Sequence, residues 1–166
     1  GESRPLEALV IPTEKRILDA CCGAKMFWFD KNRDDVLFAD IRSESHDLTN
    51  GQHIDIEPDV QVDFRDMPFQ DESFKMVVFD PPHLERLGES SDLAKKYGRL
   101  FPSWEDDIKQ GFSECYRVLE KSGTLIFKWN ETDVPVSRIL ELIEREPLFG
   151  HKSGTQSKTH WMAFMK

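Results

Sequence analysis

No run of apolar residues in the 166-residue sequence approaches the ~20 needed to cross a bilayer. The opening, Gly1-Glu2-Ser3-Arg4-Pro5, has no basic stretch ahead of an apolar one, so no secretory signal is expected. Cysteine is scarce. Three in all, with Cys21 and Cys22 adjacent, make neither a disulfide framework nor a zinc-ligand spacing, so no metal site is expected. A reducing cytoplasm is the expected compartment. There is no repeat of 20–50 residues and no low-complexity tract. Basic excess is lacking as well. Residues 1–83 carry 18 Asp/Glu against 9 Lys/Arg, whereas 84–166 carry 13 of each, so the first half holds the whole formal charge of −9. That balance opposes unaided binding to a nucleic-acid backbone, which needs a basic surface to release counterions.

What is present suits a globular chain, 39% hydrophobic and 32% charged, of a length that makes one domain over 1–166. Short apolar runs read as buried strands: Ile17 to Cys22, Val36 to Asp40, Val60 to Phe64 and Met76 to Asp80. Pro81-Pro82 forbids continuation of the last. Met26-Phe27-Trp28-Phe29 reads as core and as one or two turns of helix. Leu48 to Ile56 alternates around Asn50-Gly51, a type I′ hairpin signal. Apolar residues at 104, 108, 112, 115, 116 and 119 form a helical stripe that Ser122-Gly123 ends. Thr124 to Trp129 is a further strand, Pro135 to Glu146 a helix, and His160 to Met165 a closing strand. Residues 84–103 read as a long loop. Strands alternating with helices predict a three-layer α/β sheet, mostly parallel, with an antiparallel C-terminal strand.

Ligands of such a sheet lie outside the carboxyl ends of its strands. Asp19, Asp40, Asp63 and Asp80 each stand in or at the end of a strand candidate, so four acids converge on one rim. Gly23 opens the turn after the first strand, where a missing Cβ lets backbone approach a ligand. Asp40 follows Gly23 by 17 residues, near the ~20 expected for an acid that accepts ribose hydroxyls. The glycine-rich pyrophosphate loop is absent, because the sequence reads Cys22-Gly23-Ala24-Lys25-Met26. A ribose without a pyrophosphate fits S-adenosylmethionine, whose sulfonium and ammonium suit an acidic rim.

Leu18-Asp19-Ala20-Cys21-Cys22-Gly23 and Phe38-Ala39-Asp40-Ile41 resemble the first two motifs of the class I S-adenosylmethionine-dependent methyltransferases. Asp63 to Phe69, Asp71 to Val77 and Tyr116 to Leu125 resemble later stretches of the same family, in order over residues 16–129. The resemblance implies a Rossmann-like methyltransferase sheet. It implies that Asp40 and Ile41 meet the ribose side, and that Asp63 and Phe64 flank the adenine. Asp19, Ala20, Cys21 and Gly23 would line the methionine end, with Asp80 completing the set. The sequence departs from relatives in having one glycine in the first motif, followed by Ala24, and Lys75 where an acid is common.

Asp80-Pro81-Pro82-His83 resembles the Asp/Asn-Pro-Pro-aromatic motif of enzymes that methylate amino groups conjugated to a ring or carbonyl, such as adenine N6 and guanine N2. Those nitrogens have delocalised lone pairs. A carboxylate and a backbone carbonyl accepting their N–H bonds stabilise the positive charge that develops there. Pro81-Pro82 stiffens the backbone and His83 offers a flat face for stacking. A DNA or RNA partner would meet the only basic segments: Lys95, Lys96 and Arg99, and the last sixteen residues, with three lysines and no acid. A protein amide or a small molecule as acceptor stays open, as does an inactive cofactor-binding subunit.

Overall fold

Side-chain alternation along the strands decides what each sheet face carries. The computed structural model describes residues 11–82 and 102–166. His83, Lys95, Lys96, Arg99 and most of the predicted 84–103 loop lie outside them. Nine strands are present among the described residues: β1 (Ile17–Asp19), β2 (Val36–Asp40), β3 (Glu44–Asp47), β4 (His53–Ile56), β5 (Val60–Gln61), β6 (Phe74–Phe79), β7 (Leu119–Asn130), β8 (Phe149–Lys152) and β9 (Thr159–Met165). Two helices accompany them, α1 (Trp104–Val118) and α2 (Val136–Ile143).

Seven strands form one sheet in the order β5-β2-β1-β6-β7-β9-β8. The first five run parallel, and β9 is antiparallel to both β7 and β8. This is the predicted Rossmann-like α/β sheet. Leu18, Leu37, Ala39, Val77, Phe79, Leu125, Phe127 and Trp129 pack on one face under Ile108, Phe112 and Cys115 of α1 and Ile139 of α2. Their neighbours on the same strands turn to the other face, where Cys22, Val36 and Phe38 meet Ile17 and Trp28. The helical stripe on α1 is thus as the sequence predicts. Gly111 lets that helix sit close against the sheet, since a Cβ there would lie 2.4 Å from the Phe64 ring and 2.8 Å from Phe79.

Several expectations change. Met26–Phe29 forms turns rather than helix. Gly23 and Lys25 both have positive φ, 51° and 59°, which coils this stretch too tightly for a helix, and aromatic side chains close the second face instead. The third strand shrinks to Val60–Gln61, so Asp63 stands two residues beyond it. The Asn50-Gly51 hairpin exists as β3–β4, but its turn is not type I′. Gly51 has φ 86° and Asn50 has no positive φ, whereas a type I′ turn needs both positive. The Gly51 N–H donates to the Leu48 carbonyl and the Leu48 N–H to the Gln52 carbonyl, closing a three-residue loop. Helix α1 runs straight into β7, with the register slip against β6 absorbing Glu120 to Gly123. Ser122, at φ 64°, makes that kink. The second helix stops at Ile143, where Glu144 turns left-handed at φ 54°. Strand β8 has no counterpart in the sequence reading. All four of its residues are exposed on an edge, so no apolar alternation marks it.

Candidate active site

The chain moves outward from β1 to β2 to β5, then returns to place β6 on the other side of β1. Strand order reverses between β1 and β6, and the crevice above such a reversal is where open α/β sheets bind ligands. Asp19 ends β1. In register with it stands Val78, so Asp80 rises two residues higher on the same sheet face.

Asp19 is fully buried. Its Oδ2 accepts from the Trp28 indole N–H at 2.7 Å and its Oδ1 from the Cys21 N–H at 3.3 Å. Burial pushes its carboxyl up to about 7 against those two bonds, and Asp80 and Asp40 push in the same direction. Their mutual influence places three of the four predicted acids in one region; Asp63 is not among them, because Arg65 draws its carboxylate outward. Asp80, whose side chain is 12% exposed, is pushed up to about 6 by burial, with Lys128 opposing. The Lys128 ammonium lies 3.5 Å from Asp80 Oδ2.

Asp40 is a junction. Its Oδ2 accepts from the Gly23 N–H at 2.9 Å, and its Oδ1 accepts from the Arg42 N–H at 2.9 Å and meets Arg42 Nε at 3.4 Å. The Cys22 N–H adds a bond to the Ala39 carbonyl, so the turn after β1 is tied to the end of β2. A carboxylate has about four lone-pair sites, so the three contacts from Gly23 and Arg42 leave one on Asp40, whose side chain is 6% exposed. Ile41, beside it, is 59% exposed. Ala20 is buried, and its N–H donates to the Val78 carbonyl, which fixes the floor between β1 and β6. Cys21 is half-buried.

The second pair is turned two ways. Asp63 points outward into Arg65, whose Nε lies 3.0 and 3.1 Å from its two oxygens and whose Nη2 lies 2.7 Å from one. That guanidinium lowers the Asp63 carboxyl and reaches Asp107 of α1 at 3.3 Å. Phe64 turns inward, edge-on to Phe79 at 5.2 Å. The Val62 N–H donates to the Asp40 carbonyl, so this pair sits next to Asp40 along the rim. Pro81 is buried and Pro82 half-buried.

Two participants were not anticipated. Trp28 holds Asp19, and Lys128 holds Asp80. Lys128 had a signal: it is a lone charge between Phe127 and Trp129 in an otherwise apolar strand. Trp28 had none, because its partner is fixed by the coil of residues 20–35.

These shifts fix a pH dependence. The Asp19 carboxyl binds its proton more tightly folded, at about 7, than unfolded, near ~3.9. Its contribution to stability is therefore full below pH ~4 and is lost as pH rises toward 7. Asp80, raised to about 6, acts with the same sign over a shorter window. His53, raised by Asp47 and Asp55, also has that sign but is exposed. The lowered carboxylates Asp35, Asp55 and Asp63 have the opposite sign: their contribution is full above pH ~4 and is lost as pH falls below it. Urea unfolding is expected to show a loss of about 2–3 kcal/mol between pH 5 and pH 8 through Asp19, at ~1.4 kcal/mol per unit. Asp19→Asn should flatten most of that slope, and an unchanged slope would remove Asp19 as its source.

Solved structures resemble the chain. The PH0226 protein from Pyrococcus horikoshii OT3 aligns with a TM-score of 0.57 at 15% identity, over 90% of this chain and 81% of that one. The BH2331 protein from Bacillus halodurans C-125, provisionally named a methyltransferase, aligns at 20% identity over 82% of this chain and 62% of its own, with a TM-score of 0.40. No protein-family model and no curated protein sequence matches the chain. The likeness to PH0226 and the observed strand order agree on a Rossmann-like α/β fold, with three buried or largely buried carboxylates gathered where its strand order reverses.

Proposed function

We propose that this chain is an S-adenosylmethionine-dependent methyltransferase acting on an exocyclic amino group of a nucleic-acid base. The observation that carries it is the gathering of Asp19, Asp40 and Asp80 at the β1–β6 reversal, with Asp80 continuing directly into Pro81-Pro82. The donor set fits the cofactor by its chemistry. Asp40 can take one ribose hydroxyl while holding Gly23 and Arg42. The exposed part of Phe64 suits an adenine face, whereas Asp63 meets the adenine edge only by releasing Arg65, which fills both its oxygens. The acidic side of Ala20, Cys21 and Gly23 suits the cationic methionine end. When bound, S-adenosylmethionine supplies a methyl group made electrophilic by its sulfonium. The protein's share is alignment and charge: Asp80 accepts the acceptor's N–H, and the Pro81 carbonyl takes the second.

Of the C-terminal lysines, Lys152 and Lys158 stand at the β8–β9 turn beside the end of β7, on the rim side. Lys166 donates to the Leu119 carbonyl at 2.7 Å, at the far end of the same strand. The rim position of Lys152 and Lys158 supports them as contacts for a phosphate backbone. The net charge of −9 favours the second reading, a protein amide or small-molecule acceptor.

Calorimetry with S-adenosylmethionine tests the first step. Asp40→Ala is expected to weaken binding at least ~10-fold, since each charge-assisted bond to a hydroxyl is worth ~1.5–3 kcal/mol. The same change releases the Gly23 and Arg42 N–H groups, so Asp40→Asn, which keeps an acceptor, serves as the folded control. Binding by neither the natural protein nor the control would overturn the proposal. Transfer of labelled methyl to DNA or RNA supports the base acceptor, and label only in protein or small molecules establishes the second reading.

A further inference from the structure

The ammonium of Lys128 has an unusual seat. It reaches Asp80 Oδ2 at 3.5 Å and lies over the Phe27 ring at 5.3 Å and the Trp161 ring at 5.2 Å. Its side chain is 20% exposed. The sheet builds this seat. Phe79 pairs with Phe127, so Asp80, the residue after β6, follows beside Lys128 of β7, and Lys128 pairs with Trp161 on β9. All three point to the face that carries Trp28 and Phe27. Phe27 closes the box by meeting the Trp161 ring edge-on at 5.5 Å. Two aromatic faces attract the cation and cover part of it, so its charge acts on Asp80 through a lower dielectric than that of bulk water.

We propose that Lys128 is the positioning residue of the acceptor site: it holds the Asp80 carboxylate ionised in its desolvated seat and engages Oδ2, leaving Oδ1 for the acceptor. This rests on the methyltransferase reading for what the acceptor is, but not for the Asp80–Lys128 coupling itself. Among the described residues the one side-chain bond to Asp80 is from Lys128, at Oδ2, and the Asp80 side chain keeps 12% of its surface exposed. The other groups facing Asp80 come from the β1 end: the Asp19 carboxyl and the Cys21 thiol, with Asp40 beyond them on β2. None of these is a cation. Lys128 is the group on the described elements that can keep Asp80 charged, and a neutral Asp80 would present a hydroxyl in place of an acceptor oxygen.

The test is a carbon-13 NMR titration of aspartate carboxyls in the whole chain, with Asp80→Asn to assign the resonance. Asp80 is expected to titrate near 6 in the natural protein. Lys128→Met keeps the stem between the rings and removes the charge. It should move the midpoint up by at least about one pH unit, tenfold in proton affinity. Lys128→Arg should hold it within about half a unit. If Lys128→Met does not fold, Lys128→Gln takes its place with the same expected rise. A midpoint that stays within about 0.3 units in the neutral variant overturns the proposal. The titration needs neither cofactor nor acceptor, so a protein that fails to bind S-adenosylmethionine sinks the functional reading without touching this result. Once an acceptor is known, the acid limb of the single-turnover rate should shift with the same midpoint.

Discussion

Asp80→Ala is expected to lower the single-turnover methylation rate by ~10²–10³, the scale for removing one preorganised charge-stabilising group. The acceptor nitrogen becomes cationic as the methyl arrives, so its attraction to the Asp80 carboxylate is larger in the transition state than before it. Loss of that group therefore falls on the chemical step. Cofactor affinity should change far less, since Asp40 and the Gly23 turn are on the other side of Asp19. Asp80→Asn keeps one acceptor oxygen without charge and should be intermediate. The Ala variant also strips Lys128 of its carboxylate, whereas Asn leaves the ammonium a partner. Thermal melts of both variants separate that loss from the loss in rate. Equal rates for the three folded proteins would reduce the motif to a strand end.

The parts of this site that were legible in the sequence share a property. Asp40 and Asp80 each close an apolar run and Asp19 stands inside one, and short runs of that kind bounded by turn signals read as buried strands, which bring the acid out at the rim. Strand direction then follows from the parallel α/β pattern, and the three acids meet by topology alone. What was not legible depends on the segments between. Residues 26–29 read as a turn or two of helix, yet Gly23 and Lys25 in left-handed conformation coil the chain just before them, and Trp28 reaches back to Asp19 as a result. Nothing local in Met26-Phe27-Trp28-Phe29 encodes that return. It is decided by the seat that Phe38, 5.3 Å from the Trp28 ring, offers on the second face. Lys128 is the intermediate case. Its oddity in an apolar strand is visible in the sequence, but its partner is visible only once β6 and β7 are paired. Strand β8 was missed for the opposite reason, that an exposed edge needs no pattern to pair with β9.

A part-buried ion network below the rim carries the second large effect, with the exposed Asp71 as its outermost member, 2.8 Å from Arg117. The Arg117 guanidinium donates to the Phe69 and Met67 carbonyls at 2.8 and 3.0 Å, and its Nε to Glu114 Oε2 at 2.6 Å. Glu114 Oε1 in turn accepts the Met67 N–H at 2.8 Å. One cation and one anion from α1 thereby clamp the segment 67–69, whose Met67 and Phe69 side chains are fully buried. Arg117→Ala would leave the buried Glu114 carboxylate without its guanidinium and two carbonyls without their donor. Breaking such a pair costs ~3–5 kcal/mol, a large share of the ~5–15 kcal/mol that holds a domain folded. Arg117→Lys should recover only part, because a single ammonium cannot reproduce the planar fork. Replacing both members, Glu114→Met with Arg117→Met, should cost less than Arg117→Ala alone, since no charge is then stranded. The exposed Arg65–Asp63 pair gives the contrast. Arg65→Ala should cost at most ~1 kcal/mol, because both partners keep their water. Urea denaturation of the four variants decides the matter, and a loss below ~1 kcal/mol for Arg117→Ala would show that the network adds nothing to the stability of the sheet beneath the site.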